Sequence, residues 1–73
     1  MAITAPQMRL DGEKLRKARE NALLSHRELA IKAGLSPTTV LKLENAGTST
    51  PHAQTIRKLV AALEVEPREL LED

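Results

Sequence analysis

The 73-residue chain has no cysteine, no phenylalanine, no tyrosine and no tryptophan, and only three glycines and four prolines. Without cysteine there are no disulfides, no thiolate metal sites and no sulfur nucleophile. Without aromatic rings there is no platform on which unpaired bases stack, which removes the single-strand and RRM modes of nucleic-acid binding. Apolar runs long enough to span a bilayer are missing too. The opening M-A-I-T-A-P-Q lacks the basic start and apolar stretch of a signal peptide, so the expectation is a cytoplasmic protein with no membrane partner. Enzyme chemistry has little footing. The only histidines, His26 and His52, have no accompanying carboxylate or nucleophile pattern in the sequence, and there is no glycine-rich phosphate loop. No metal site and no cofactor are expected.

What remains is aliphatic and charged. A chain of this length buries one modest core and is marginally stable. Helical spacing marks Leu15, Ala18, Ala22, Leu29, Ala33, Leu35, Val40, Leu43, Ile56, Leu59, Val60, Leu63, Val65 and Leu70 for that core. The net charge of +1 is small for a binder of polyanions, but it is unevenly spread. Residues 1–63 hold ten Lys or Arg against five Asp or Glu, whereas residues 64–73 hold Arg68 against Glu64, Glu66, Glu69, Glu72 and Asp73. The acidic end reads either as a solvated face or as a surface turned to a partner, away from the basic part.

Residues 25–51, S-H-R-E-L-A-I-K-A-G-L-S-P-T-T-V-L-K-L-E-N-A-G-T-S-T-P, are two short helices broken at a glycine. Ser25 with Glu28 three positions on makes a capping box. Leu29, Ala30 and Ala33 share a face, and Gly34 is the left-handed stop. Ser36 and Pro37 then start a second helix at once, with Val40 and Leu43 inward. Ala30 supplies the small side chain that closely crossing helices need. This is the pattern of a helix-turn-helix, whose second helix enters the major groove, so double-stranded DNA is the first partner to consider. Three further helices are expected: from Asp11 or Gly12 to Leu23, from a Thr50 cap and Pro51 to Leu63, and from Glu66 or Pro67 to Leu71. Pro6 and a mixed composition leave residues 1–10 as an N-terminal arm ahead of a domain over 11–73.

L-R-K-A-R-E at 15–20 precedes the motif, and L-E-N at 43–45, Pro51 and I-R-K-L-V-A-A-L-E-V at 56–65 follow in register. Together, residues 12–72 resemble the DNA-binding domain of the lambda-repressor, Cro and 434-repressor-like family. The resemblance implies an all-α, compact five-helix domain. It also implies a sequence-specific transcriptional regulator, a repressor that occupies a promoter as a homodimer on a two-fold operator. It places base-facing positions on Pro37, Thr38, Thr39, Leu41 and Lys42. Their chemistry suffices: Lys42 can donate to guanine O6 and N7, Thr38 offers a hydroxyl and a methyl, and Pro37 offers apolar contact. A solvated lysine at 42 and first-turn capping by Thr38 and Thr39 are the other readings of those residues.

Phosphate contacts fall by the same resemblance on Ser25 and His26, and on Asn45, Thr48, Ser49, Thr50 and His52. His26 stands where the family often has Gln, and an imidazole can donate to a phosphate in its place. An exposed helix-start residue without a role is its other reading. Arg19 and Glu44 match positions at which the family shows a buried Arg–carboxylate pair, a contact suited to a planar guanidinium, although two unrelated surface charges would look the same in sequence. Two departures stand out. The loop at 48–52 has no Lys or Arg, and Ala46 replaces the family's usual Gly, which leaves the end of the third helix open.

The cation-poor loop keeps an alternative open: an antitoxin-like or adaptor module of the same fold, with its acidic C-terminal helix or N-terminal arm holding a toxin or regulator. Leu70 and Leu71, adjacent on a helix, point roughly 100° apart. Leu71 is therefore expected to be left for a second subunit or for the N-terminal arm, where Ile3 and Met8 also lack an intramolecular place.

Overall fold

Helix starts in this chain are set by short polar side chains that take up orphan N–H groups. The computed structural model describes residues 8–73. Asp11 accepts from the amides of Glu13 (2.9 Å) and Lys14 (3.3 Å) and starts α1 (Gly12–Asn21). Ser25 and Glu28 exchange hydrogen bonds of 3.0 and 2.9 Å in the expected capping box and start α2 (His26–Ala33). Ser36 accepts from the Thr39 amide at 3.1 Å and starts α3 (Pro37–Asn45). A last helix, α4 (Ala53–Leu63), has His52 at its cap with no side-chain bond.

The expectation of Thr50 and Pro51 at the start of that helix does not hold. Leu10 and Asp11 (β1) pair antiparallel with Thr48 and Ser49 (β2), Leu10 opposite Ser49 and Asp11 opposite Thr48. This pairing holds the chain extended into Thr50, and the helix begins only after Pro51. The expected all-α domain is thus mostly helical with one two-residue strand pair. The fifth helix is also corrected: residues Pro67–Glu69 form a single 3-10 turn. Past it the chain returns to the extended state, because Leu71 bridges Leu10 on the other edge of β1. The acidic C-terminal helix expected to hold a toxin or regulator is therefore not formed among the described residues.

Backbone bonds fasten this region further: Asp11 N–H to Leu70 O at 2.9 Å, Gly12 N–H to Gly47 O at 2.7 Å and Glu72 N–H to Arg9 O at 2.8 Å. The segment expected as an arm over residues 1–10 thus ends inside the fold, with Leu10 fully buried. Leu71 is half-buried and bridges Leu10 of the expected arm, the second of its two expected places, and Ile3 lies outside the described residues. The core otherwise follows the helical spacing, with Leu15, Leu29, Ala30, Val40, Leu59 and Leu70 fully enclosed. Ala22, expected in the core, is exposed because α1 stops at Asn21 and Ala22 is its cap.

Each of the four helices ends at a left-handed residue, and three of them close with the same backbone bond. After α2, Gly34 takes it (φ 72), with Leu35 N–H reaching back to Ala30 O at 2.8 Å. After α4, Glu64 takes it (φ 55), with Val65 N–H on Val60 O at 3.2 Å. After α1 it is Leu23 (φ 60), with Leu24 N–H on Arg19 O at 3.1 Å and Leu23 N–H on Glu20 O at 2.9 Å. This double bond is a Schellman closure, which favours glycine at the left-handed position; a leucine there costs on the order of 1 kcal/mol. It also ends α1 two residues earlier than the expected Leu23.

Gly12 lies directly against the end of α3. A Cβ there would lie 2.5 Å from Glu44 O and 2.6 Å from Leu43 O, both backbone atoms at the end of α3. Changing Gly12 to Ala should push α1 off α3 and lower stability by about 1–3 kcal/mol, the usual cost of overpacking. Thermal melting followed by far-ultraviolet circular dichroism checks this; an unchanged midpoint would show that α3 gives way freely.

Candidate nucleic-acid interface

Helix α3 divides cleanly. Val40 and Glu44 are buried and Leu43 is half-buried, while Pro37, Thr38, Leu41, Lys42 and Asn45 are exposed. Thr38, Leu41, Lys42 and Asn45 stand at i, i+3, i+4 and i+7, one continuous stripe on the outside of the helix. The only acid on α3 is Glu44, so this stripe carries Lys42 and no negative charge. Of the residues assigned to base reading, Thr39 is the exception. Its hydroxyl sits 2.8 Å from Ser36 Oγ and is only part-exposed, so it works in the first-turn cap.

The residues assigned to phosphate contacts are less uniform. Thr48, Thr50 and His52 are exposed along the segment between α3 and α4, and Asn45 adjoins them. Ser49 is different: its Oγ is shut away from solvent with no hydrogen-bond partner. Ser25 Oγ accepts from the Glu28 amide at 3.0 Å. The return bond from the Ser25 backbone, with that of its hydroxyl, holds the Glu28 carboxyl below the usual carboxylate range. Gly47, in the left-handed region at φ 75, ends α3 one residue after the Ala46 cap, which settles where that helix stops.

Behind the stripe is a charge cluster that the sequence anticipated only in part. Arg19 on α1 grips Glu44 on α3 with two bonds, Nε to Oε2 at 2.6 Å and Nη2 to Oε1 at 3.2 Å, and its Nη1 donates to Leu24 O at 2.8 Å. His26 on α2 places Nε2 3.0 Å from Glu44 Oε1, and Arg16 on α1 comes within 3.7 Å of the same oxygen. Only 2% of the Glu44 side chain is exposed. Burial alone would push its carboxyl up, but the hydrogen bonds and charges of Arg19 and His26 outweigh burial and hold it below the usual range. Arg19 is shifted up by the same bond, against the opposing effect of burial. Because Glu44 is an acceptor, His26 Nε2 carries the proton, and in the neutral ring Nδ1 is then an acceptor that cannot donate to a phosphate. Sequence reasoning saw His26 as an outward donor and missed its pairing, since nothing in linear spacing relates residue 26 to residue 44. Gly12 was missed for the same reason.

Among the described residues no group of His, Asp or Glu is arranged to hold a metal, and no helix is long and apolar enough to cross a membrane.

The helix-turn-helix domain family matches residues 12–73 of this chain. The HTH-type transcriptional regulator RghRB of Bacillus subtilis is 38% identical over 60 residues, covering 82% of this chain and 43% of that protein, so the chain spans less than half the length of this relative. Among solved structures, the restriction-modification controller protein C.AhdI from Aeromonas hydrophila matches with a TM-score of 0.73 at 36% identity, over 80% of this chain and 86% of that one. The biofilm regulator SinR of Bacillus subtilis, in complex with DNA, matches with a TM-score of 0.73 at 28% identity, over 78% and 90% of the two chains.

Removing one partner from the buried pair strands the other, so Arg19→Ala should cost about 3–5 kcal/mol at neutral pH. The Glu44 carboxyl titrates lower in the folded chain than in the unfolded one. Its contribution to stability is therefore complete above the unfolded value of about 4.3 and is lost as pH falls through the lower folded value. Glu44→Gln should melt below the parent at neutral pH, and the gap should shrink in acid. A gap that persists undiminished below both values would show that the ionised carboxylate is not what holds the helices.

Proposed function

The chain belongs to the helix-turn-helix family of DNA-binding transcriptional regulators, which are not enzymes, and from that premise we propose that it binds a specific double-stranded site through α3. The observation that carries this reading is the acid-free stripe of Thr38, Leu41, Lys42 and Asn45, held outward on a helix whose other side is locked by Val40 and Glu44. In a major groove Lys42 would donate to guanine O6 and N7, and Thr38 and Leu41 would contact thymine methyls, with Pro37 adding apolar contact at the helix start. That SinR has been seen in complex with DNA supports this placement.

Phosphates would be held on either side of the stripe. At the start of α2, beside Ser25, the first-turn N–H groups of His26 and Arg27 would meet a phosphate. His26 takes part there through its backbone amide, its ring being committed to Glu44. On the other side Asn45, Thr48, Thr50 and His52 supply neutral donors. With so few cations near the groove edge, binding should depend on salt less steeply than for loops rich in Lys and Arg.

A single domain of this size reads few base pairs, so useful affinity calls for a homodimer on a two-fold operator with half-sites about 34 Å apart. A bound dimer that covers a promoter would act as a repressor by occupancy.

Selection of bound sequences from a random DNA pool tests the proposal, since it should return a two-fold consensus. Lys42→Ala should then cost about 1–3 kcal/mol on the selected site and relax preference at one base pair per half-site. An equal loss on every sequence would make Lys42 a phosphate contact, and recovery of no consensus would overturn the reading.

A further inference from the structure

Of the two histidines, His26 is the one bonded to the scaffold while standing at the proposed phosphate site. It opens α2, its side chain is 39% exposed, and its Nε2 lies 3.0 Å from Oε1 of the enclosed Glu44. Nε2 is the far nitrogen of the ring and reaches inward. Nδ1 is the near one, joined to the ring carbon that carries Cβ, so it stays beside the residue's own backbone and the N–H group assigned to a phosphate. Among the described residues Nδ1 has no hydrogen-bond partner and is not shut away from solvent.

The charges around the ring are few. From α3 comes Glu44, the one carboxylate within ion-pair reach of it among the described residues. From α1 come Arg19, which takes both oxygens of Glu44, and Arg16, placed between Glu44 at 3.7 Å and Glu13 at 3.8 Å. On α2 itself Arg27 is exposed and Glu28 is turned to the Ser25 amide. Helix α4, also packed on α2, contains no acid, and its Arg57 and Lys58 are exposed. A proton added to His26 thus brings a positive charge that finds no carboxylate of its own, and a phosphodiester at the start of α2 supplies the missing negative charge. Histidine is the side chain that gains such a proton between about pH 5 and pH 8, and its second nitrogen then turns from acceptor to donor. We propose that His26 is a proton-dependent phosphate contact. The neutral ring serves Glu44 alone, whereas the protonated ring donates from Nε2 to Glu44 and from Nδ1 to a DNA phosphate, so each reading head takes up a proton as it binds. DNA binding therefore strengthens as pH falls, and by reciprocity DNA favours the charged ring.

The proton link rests on the proposed reading of DNA, and one experiment separates the two. Fluorescence anisotropy on the selected site at fixed salt, from about pH 8 to about pH 6, should show the parent tightening by at least about threefold per reading head. His26→Gln should lose this gain, because its amide can give one proton to Glu44 and the other to a phosphate throughout that range; an unchanged melting temperature shows that it folds. His52→Gln should keep the gain, which assigns the proton to residue 26. Ring nitrogen chemical shifts of the DNA complex at about pH 6.5 should show both nitrogens of His26 protonated. An affinity that does not change with pH, a gain that survives in His26→Gln, or a bound ring with Nδ1 unprotonated would each overturn the proton link while sequence-specific binding stands. Failure to bind any DNA across the range would remove the reading together with the link.

Discussion

A carboxylate taken out of water is costly unless cations and donors replace its hydration, and Glu44 is where this protein meets that condition. Its two oxygens are covered by Arg19 and Arg16 from α1 and by His26 from α2, so one side chain on α3 is held by both preceding helices. Arg19 adds a bond to Leu24 O, tying the turn between α1 and α2 into the same cluster. Without this cluster the angle of α3 would rest on aliphatic contacts, which tolerate sliding, and on the single backbone bond from Gly12 to Gly47 at its end. Charge geometry fixes direction in a way that Val40 and Leu43 cannot. Gly12 completes the constraint from the backbone side by letting α1 pass within contact distance of the α3 carbonyls.

This arrangement separates the two duties of α3. Glu44, facing in, carries the negative charge, and the stripe facing out carries none. A helix bearing one acid can therefore face a polyanion, because that acid is neutralised by Arg19 and its neighbours before any ligand arrives. The nucleic-acid surface need not be strongly basic for this to work. The overall charge of +1 is consistent with a protein that positions a few neutral donors well rather than one that gathers counterions.

The helix-turn-helix was legible because its signals are local. The Ser25–Glu28 box, Gly34, and Ser36 with Pro37 each act within four residues, and periodicity then sorted inside from outside. Arg19 with Glu44 was legible only through the family resemblance. What could not be read depends on contacts between distant segments. Leu10 is a single apolar residue with no period around it, and only its pairing with Ser49 and Leu71 explains its burial. That same pairing delayed α4 to Ala53 and reduced the last helix to a turn. Leu23 was misplaced for a different reason. Leucine is a strong helix former, and nothing local announces that the helix closes before it, whereas a glycine there would have done so.

The strand that fastens Thr48 and Ser49 also receives Leu71, so the two extremities of the described fold are hydrogen-bonded neighbours across β1. Such an arrangement makes the order of the helices along the chain separable from their arrangement in space. A short linker could join residue 73 to residue 8 and new ends could be opened in an exposed turn, giving a circular permutant with the same cluster around Glu44. The topology of the described residues is in this sense nearly a ring, cut at the point where residues 9–11 and 70–72 already touch.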